Sequence, residues 1–127
     1  MDTRMKRRNF IGTTALAGAG QVVAGAVRAE AQGKPVRVGV VGTGNRGRGL
    51  FGVMLAMEGV EFPALCDIDA GNLAAAQDMA VKAGRPKPEG YTGSDHAFEK
   101  LMSRDDIDAV IIATYWQWHT PMAVYAM

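Results

Sequence analysis

The stretch Pro35–Leu50, PVRVGVVGTGNRGRGL, decides the fold, because it joins an apolar run to a helix through a glycine-rich turn. The run contains four valines, as in a buried strand, and leads into GTGNRG, which has the pattern G-x-G-x-x-G. In that pattern the first glycine allows a tight turn, the second lets a pyrophosphate approach the backbone, and the third lets the helix pack against the strand. The N–H groups that begin the helix then face the phosphates. The stretch therefore predicts a dinucleotide-binding loop in which Gly42 and Gly44 contact the cofactor.

An acidic residue follows at the spacing that such a loop requires. The apolar segment Val60–Cys66 predicts a second strand, irregular at Pro63, and Asp67 comes directly after it, 20 residues beyond Gly47. A carboxylate there accepts hydrogen bonds from the adenosine ribose hydroxyls and repels a 2′-phosphate, which favours NAD over NADP. The alternative is that Asp67 or Asp69 caps the next helix, a common position for aspartate. We assign the ribose to Asp67 and the cap to Asp69.

The remaining residues alternate predicted helices with predicted strands. Helices are predicted over residues 46–57 (with Leu50, Met54 and Met57 on the buried face), over Asn72–Ala83 and around Phe98–Met102, and strands at Tyr91-Thr92 and Ile107–Thr114. This order predicts an α/β fold, the first half of a doubly wound parallel sheet, which is incomplete. Right-handed crossovers place the last strand beside the first, opposite the second, so the binding crevice lies between the first and last strands.

Two tryptophans and a histidine follow the last strand, in the segment Tyr115-Trp116-Gln117-Trp118-His119, before a helix that Pro121 opens. We expect this loop to bring Trp116 and His119 to the crevice, where they cover the nicotinamide half of the cofactor. The alternative is that both indole rings fold back onto the core.

The first 31 residues predict an export signal. Lys6-Arg7-Arg8-Asn9-Phe10-Ile11 resembles the twin-arginine consensus, an apolar stretch follows, and Ala29-Glu30-Ala31 offers a cleavage site. The apolar stretch is rich in small residues, which argues against a stable membrane span. We therefore expect the twin-arginine machinery to export the folded protein to the periplasm or out of the cell.

The composition gives no indication of a nucleic-acid partner or a metal. Five of the 14 basic side chains but two of the 13 acidic ones lie in the first 31 residues, so the rest of the 127-residue chain is slightly acidic. Cys66 is the single cysteine, so the sequence predicts neither a disulfide framework nor a thiolate metal centre.

Taken together, the motifs resemble the N-terminal domain of the Gfo/Idh/MocA oxidoreductases. The resemblance rests on GTGNRG after a strand, on CDID at residues 66–69, on DIDAVIIAT at residues 106–114 and on WQWHTPM from Trp116. The last run is especially similar to glycoside hydrolase family 109, whose members are NAD-dependent α-N-acetylgalactosaminidases. The resemblance covers residues 34–127 and implies a partial Rossmann domain there. It implies NAD contacts at Asn45, Arg46, Asp67, Trp116, Gln117, Trp118 and His119.

The same resemblance implies an activity for the full-length protein. It would hydrolyse terminal α-N-acetylgalactosaminides by transient oxidation at C3, with elimination and re-addition of water. The alternatives are a family dehydrogenase acting on a sugar or cyclitol, and a catalytically inactive nucleotide-binding module. Family members continue through a substrate domain, so we expect the catalytic residues downstream of Met127. One departure is Tyr115, where the family usually has a proline.

Overall fold

A computed structural model describes residues 33–127, and these form a parallel β-sheet with helices on both faces. The predicted signal, residues 1–31, lies outside the described residues. The elements, in chain order, are β1 (Val36–Val41), α1 (Asn45–Leu55), β2 (Val60–Glu61), β3 (Ala64–Cys66), α2 (Ala70–Lys82), β4 (Glu89–Tyr91), α3 (Ala97–Met102), β5 (Ala109–Ile112) and α4 (Trp116–Ala126). Within this part of the chain, no helix is long and apolar enough to cross a membrane.

The sheet is parallel throughout, with β1 at its centre. Strands β3 and β5 both pair with Val40 and Val41, so they lie on opposite edges of β1, and β4 pairs with β3. Strand β2 pairs with the start of β1, at Val36 and Arg37. The predicted doubly wound topology is therefore confirmed, with the last strand beside the first.

The predicted strand Val60–Cys66 is wrong as a single element, because Phe62 and Pro63 divide it into β2 and β3. Proline has no N–H group to donate to the ladder. Its carbonyl instead accepts a hydrogen bond from the Glu89 N–H group, at 2.9 Å. The break lets the ring of Phe62 pack edge-to-face on Phe51, with ring centroids 4.9 Å apart.

The buried face of α1 matches the prediction only in part. Met54 is partly buried against the core, but Leu50 and Met57 are 41% and 49% exposed, and Met57 lies beyond the end of the helix. The buried positions are Gly47, Phe51 and Leu55. The face is set by two tertiary contacts, the Phe51–Phe62 ring pair and the close approach of Gly47 to the end of β1. Neither contact can be predicted from the spacing of apolar residues within the helix.

Each face of the sheet has its own apolar cluster. Helices α1 and α2 cover the first cluster, which consists of Val38, Val40, Phe51, Leu55, Phe62, Leu65, Leu73, Ala76 and Ala80. Helices α3 and α4 cover the second, which consists of Val41, Ala64, Cys66, Ala97, Phe98, Leu101 and Met122. The carboxyl ends of β1, β3 and β5 therefore lie between two helical layers.

An ion pair ties β1 to the turn before β5. Arg37 donates from Nε to Asp108 Oδ2 at 3.0 Å and from Nη2 to Oδ1 at 2.8 Å, and its backbone N–H donates to Oδ2 at 2.9 Å. These hydrogen bonds lower the pKa of Asp108 from 3.8 to about 2.

We expect Asp108→Asn to remove an acid-dependent part of the stability. Because the folded-state pKa of Asp108 is lowered, its carboxylate stabilises the fold above about pH 4, and this contribution is lost as the pH falls through about 2. The difference in unfolding free energy between wild type and Asp108→Asn should be constant above pH 5 and shrink between pH 4 and pH 2. Urea unfolding at a series of pH values measures it. The control is Asp105→Asn in the same turn, and an equal loss there would contradict the prediction.

Candidate cofactor-binding site

The glycine loop between β1 and α1 is shaped by the packing of the protein around it. Gly42 has φ +91°, and a Cβ atom there would lie 2.6 Å from the carbonyl oxygen of Ala113. A Cβ atom on Gly47 would lie 1.8 Å from the Gly42 carbonyl oxygen. A Cβ atom on Gly44 would have no described atom within 4 Å. The first and third glycines are thus required by internal contacts, and the second leaves open space that a ligand can occupy.

Among the described residues, no side chain caps the start of helix α1 at this loop. Gly44 occupies the N-cap position, no side chain accepts a hydrogen bond from the backbone N–H groups of the first turn, and that turn contains no acidic residue. A helix leaves its first N–H groups without an intrahelical partner, and its dipole makes that end positive. Helix α2 differs, because Asp69 accepts a hydrogen bond from the Asn72 N–H group at 2.9 Å, as predicted for its cap. The start of α1 therefore fits an anionic group such as a pyrophosphate.

The carboxylate of Asp67 joins the glycine loop to the end of β3. Its Oδ2 atom accepts from the Thr43 N–H group at 2.7 Å and the Thr43 hydroxyl at 3.0 Å. Its Oδ1 atom accepts from the Asp69 N–H group at 2.8 Å. A carboxylate offers about four lone-pair sites, so it retains capacity for a ribose hydroxyl. The buried Thr43 could not be identified from the sequence, because the G-x-G pattern accepts any residue between its glycines.

The predicted loop Trp116–His119 is wrong, because these residues form the first turn of α4 and Pro121 lies inside the helix. Tyr115 precedes the helix with φ −65° and ψ 151°, and its carbonyl accepts from the Trp118 N–H group at 3.0 Å. That φ is the value that proline imposes, so tyrosine preserves the backbone and adds a largely exposed ring.

The helical start still brings Trp116 and His119 together, since residues three apart share a helix face. Their rings stack with centroids 6.0 Å apart and planes 15° apart. Trp118 lies on another face and packs against Phe98, with centroids 6.2 Å apart. One of the two indole rings therefore folds onto the core, and the other, that of Trp116, is 90% exposed.

A backbone contact fixes the orientation of the His119 ring. Its Nε2 atom lies 2.9 Å from the carbonyl oxygen of Thr114, at the carboxyl end of β5. Because a carbonyl oxygen can only accept, Nε2 carries the proton, and Nδ1 is the nitrogen that remains for another partner.

These elements enclose a cleft of about 940 Å³ at the carboxyl ends of the strands. Of the predicted site residues, the structure brings eight to its lining: Gly42, Gly44, Asn45, Arg46, Asp67, Trp116, Trp118 and His119. Gln117 does not line it. The lining also includes residues that the sequence analysis did not assign to the site, among them Ile68, Asn72, Ser94, Thr114 and Tyr115. The volume lies at the upper end of the range for ligand pockets, as a dinucleotide requires.

The thiol of Cys66 and the arrangement of possible metal-binding side chains limit the chemistry of the cleft. Cys66 lines it, but burial and the neighbouring Asp67 raise the pKa of its thiol to about 12, so it is not a thiolate nucleophile at neutral pH. Residues 33–127 contain no group of three or more histidine, cysteine or acidic side chains that could hold a metal ion. A nicotinamide dinucleotide fits the cleft better, because its pyrophosphate matches the open space at Gly44 and the start of α1, and its ribose matches the Asp67 carboxylate.

Comparisons with known proteins agree with this geometry. Residues 36–127 match the family model Gfo/Idh/MocA, described as an oxidoreductase family with an NAD-binding Rossmann fold. A glycosyl hydrolase family 109 protein from Saccharopolyspora erythraea is 38% identical over 95% of this chain and 30% of its own length. An α-N-acetylgalactosaminidase from Bacteroides fragilis is 51% identical over 72% of this chain and 21% of its own.

Among solved structures, the chain resembles a myo-inositol dehydrogenase from Lactobacillus casei in complex with NAD(H) and myo-inositol. The TM-score is 0.57 at 29% identity, over 72% of this chain and 25% of that one. The chain thus spans between a fifth and a third of the length of the relatives that it matches.

Proposed function

The chain belongs to the Gfo/Idh/MocA oxidoreductase family and has its NAD-binding Rossmann fold, and we propose that it forms the cofactor site of an α-N-acetylgalactosaminidase. The observation that carries this proposal is the 51% identity, over 72% of this chain, to a protein of that name. The substrate class is a terminal α-N-acetylgalactosaminide.

In this proposal the described residues bind and orient the cofactor. The N–H groups that begin α1 would hold the pyrophosphate, Asp67 would accept from the adenosine ribose, and Trp116 with His119 would cover the nicotinamide. Bound NAD would supply a hydride acceptor for oxidation at C3 of the sugar and would return the same hydride after elimination and re-addition of water. We propose that the acid and base for elimination lie beyond Met127.

The test is an assay of the full-length product with a chromogenic α-N-acetylgalactosaminide in deuterated water. We expect release of the chromophore without net NADH and with deuterium at C2 of the sugar, because elimination removes the C2 proton. Hydrolysis by two carboxylates leaves that hydrogen in place. Chromophore release with no deuterium at C2 would overturn the oxidative route.

A dehydrogenase is the second candidate, favoured by the structural likeness to the NAD(H)-bound myo-inositol dehydrogenase. It predicts stoichiometric NADH formation, followed at 340 nm, with a free sugar or cyclitol and an unchanged glycoside. That result would replace the glycosidase proposal and leave the cofactor site unaffected.

We further propose that residues 1–31 direct export by the twin-arginine route to the periplasm or out of the cell. The support is the motif Arg7-Arg8 before Phe10 and an apolar stretch. In a bacterial host, replacing both arginines by lysine should retain the precursor in the cytoplasm, as seen by fractionation and immunoblotting. Arg4→Lys, outside the motif, is the control, and unchanged export of the double variant would refute the proposal.

A further inference from the structure

A guanidinium group bridges the starts of two helices at the edge of the cleft. Arg48, on α1, donates from Nη1 to Asn72 Oδ1 at 3.0 Å and from Nη2 to Asn45 Oδ1 at 3.2 Å. Asn45 is the first residue of α1 and Asn72 lies in the first turn of α2. Both asparagines line the cleft.

The chemistry of the bridge fixes the orientation of both amides. A guanidinium group has donors and no acceptor, so each asparagine must present its carbonyl oxygen to Arg48. Each amide NH₂ group, with two donors, is then directed away from the bridge. Within residues 33–127 neither NH₂ group has a hydrogen-bond partner. Two sets of oriented donors are therefore available at the edge of the cleft.

We infer that Asn72 contacts the cofactor and that Arg48 is a positioning residue, which orients Asn72 and Asn45 toward it. Asn72 belongs to the adenosine side of the cleft, because its N–H group is held by Asp69, and the Asp69 N–H group donates to Asp67. The acceptors in that half of NAD include the ribose and phosphate oxygens, and amide N–H donors suit them. Neither the glycine motif nor the family resemblance assigns Arg48 or Asn72. The inference rests on the NAD-binding fold and not on the proposed glycosidase activity.

A purely structural role for the bridge makes a different prediction. If Arg48 merely tied α1 to α2, its removal would lower the unfolding free energy and leave the affinity for cofactor fragments unchanged. The affinity and the stability must therefore be measured on the same variants.

The experiment is calorimetric titration of the full chain with NAD, with ADP-ribose and with nicotinamide mononucleotide, well below the melting temperature. Arg48→Met and Asn72→Ala should each bind NAD and ADP-ribose roughly tenfold more weakly, since one or two neutral hydrogen bonds are lost. Affinity for nicotinamide mononucleotide should not change. Lys82→Met, at the far end of α2, controls for the lost positive charge and should stay within twofold of wild type.

Comparison of a double and a triple variant separates positioning from direct contact. In an Asn45→Ala/Asn72→Ala background, Arg48→Met should have no further effect on ADP-ribose binding, because its action passes through the two amides. A remaining tenfold effect would mean that Arg48 contacts the phosphates itself and would overturn the positioning role. Unchanged affinity in Arg48→Met and Asn72→Ala, with a lower melting temperature, would overturn the inference. A wild-type chain that binds no ADP-ribose would instead overturn the cofactor site itself.

Discussion

Gly47→Ala is expected to unfold the chain or to lower its unfolding free energy by about 3 kcal/mol or more. The added Cβ atom would lie 1.8 Å from the Gly42 carbonyl oxygen and 2.7 Å from its carbon, both backbone atoms. The loop cannot move aside easily, because the Gly42 N–H group donates to the Cys66 carbonyl at 2.8 Å. The clash therefore has to be relieved by separating α1 from β1. That loss is a large fraction of the stability of an ordinary domain.

Gly49→Ala is the matched control for this prediction. It lies in the same helix, but a Cβ atom there would have no described atom within 4 Å. Alanine favours an exposed helix interior over glycine, so we expect Gly49→Ala to raise the unfolding free energy by up to about 1 kcal/mol. Urea unfolding followed by tryptophan fluorescence measures both variants. Equal stabilities for the two would contradict the close packing of Gly47.

Asp67→Asn is expected to weaken NAD binding by roughly 10- to 100-fold. An amide loses the charged acceptor for the ribose and offers a single oxygen to Thr43 and Asp69, which both donate to the carboxylate. Removing the negative charge should also reduce discrimination against NADP, because the 2′-phosphate is no longer repelled. Titration with NAD and NADP measures both effects.

Asp69→Asn removes the same charge from the same cleft and serves as the control. Asparagine is as good an N-cap as aspartate, so helix α2 should keep its start. We expect NAD affinity within about threefold of wild type, since no charge-assisted hydrogen bond to the ribose is lost. An equal loss of affinity in both variants would show that general charge, and not the carboxylate of Asp67, determines binding.

The features that the sequence predicted correctly depend on local geometry or on chirality. The tight turn at Gly42 and the cap at Asp69 are set within a few residues, and the place of β5 beside β1 follows from the handedness of crossovers. The division of the second strand and the buried face of α1 could not be predicted, because both involve the packing of the Phe62 ring on Phe51 of the preceding helix, and the periodicity of neither element indicates that contact.

The cofactor cleft also combines features that the sequence predicts with features that it does not. Pro121 suggested a helix start, since proline favours the first helical position. The helix instead begins at Trp116, after the extended backbone of Tyr115. The contributions of Thr43 and Asn72 depend on side chains brought together from separate elements, and no spacing rule in the sequence marks such pairs.

The raised pKa of Cys66 lowers the reactivity of its thiol toward disulfides. At pH 7 a thiol with a pKa of about 12 is ionised in only about one molecule in 10⁵, and the thiolate is the form that attacks disulfides. Cys66 is also buried, so neither glutathione disulfide nor the cysteine of a second copy reaches it easily. The low thiolate fraction and the burial of the side chain should both slow the formation of mixed disulfides and of disulfide cross-links between molecules.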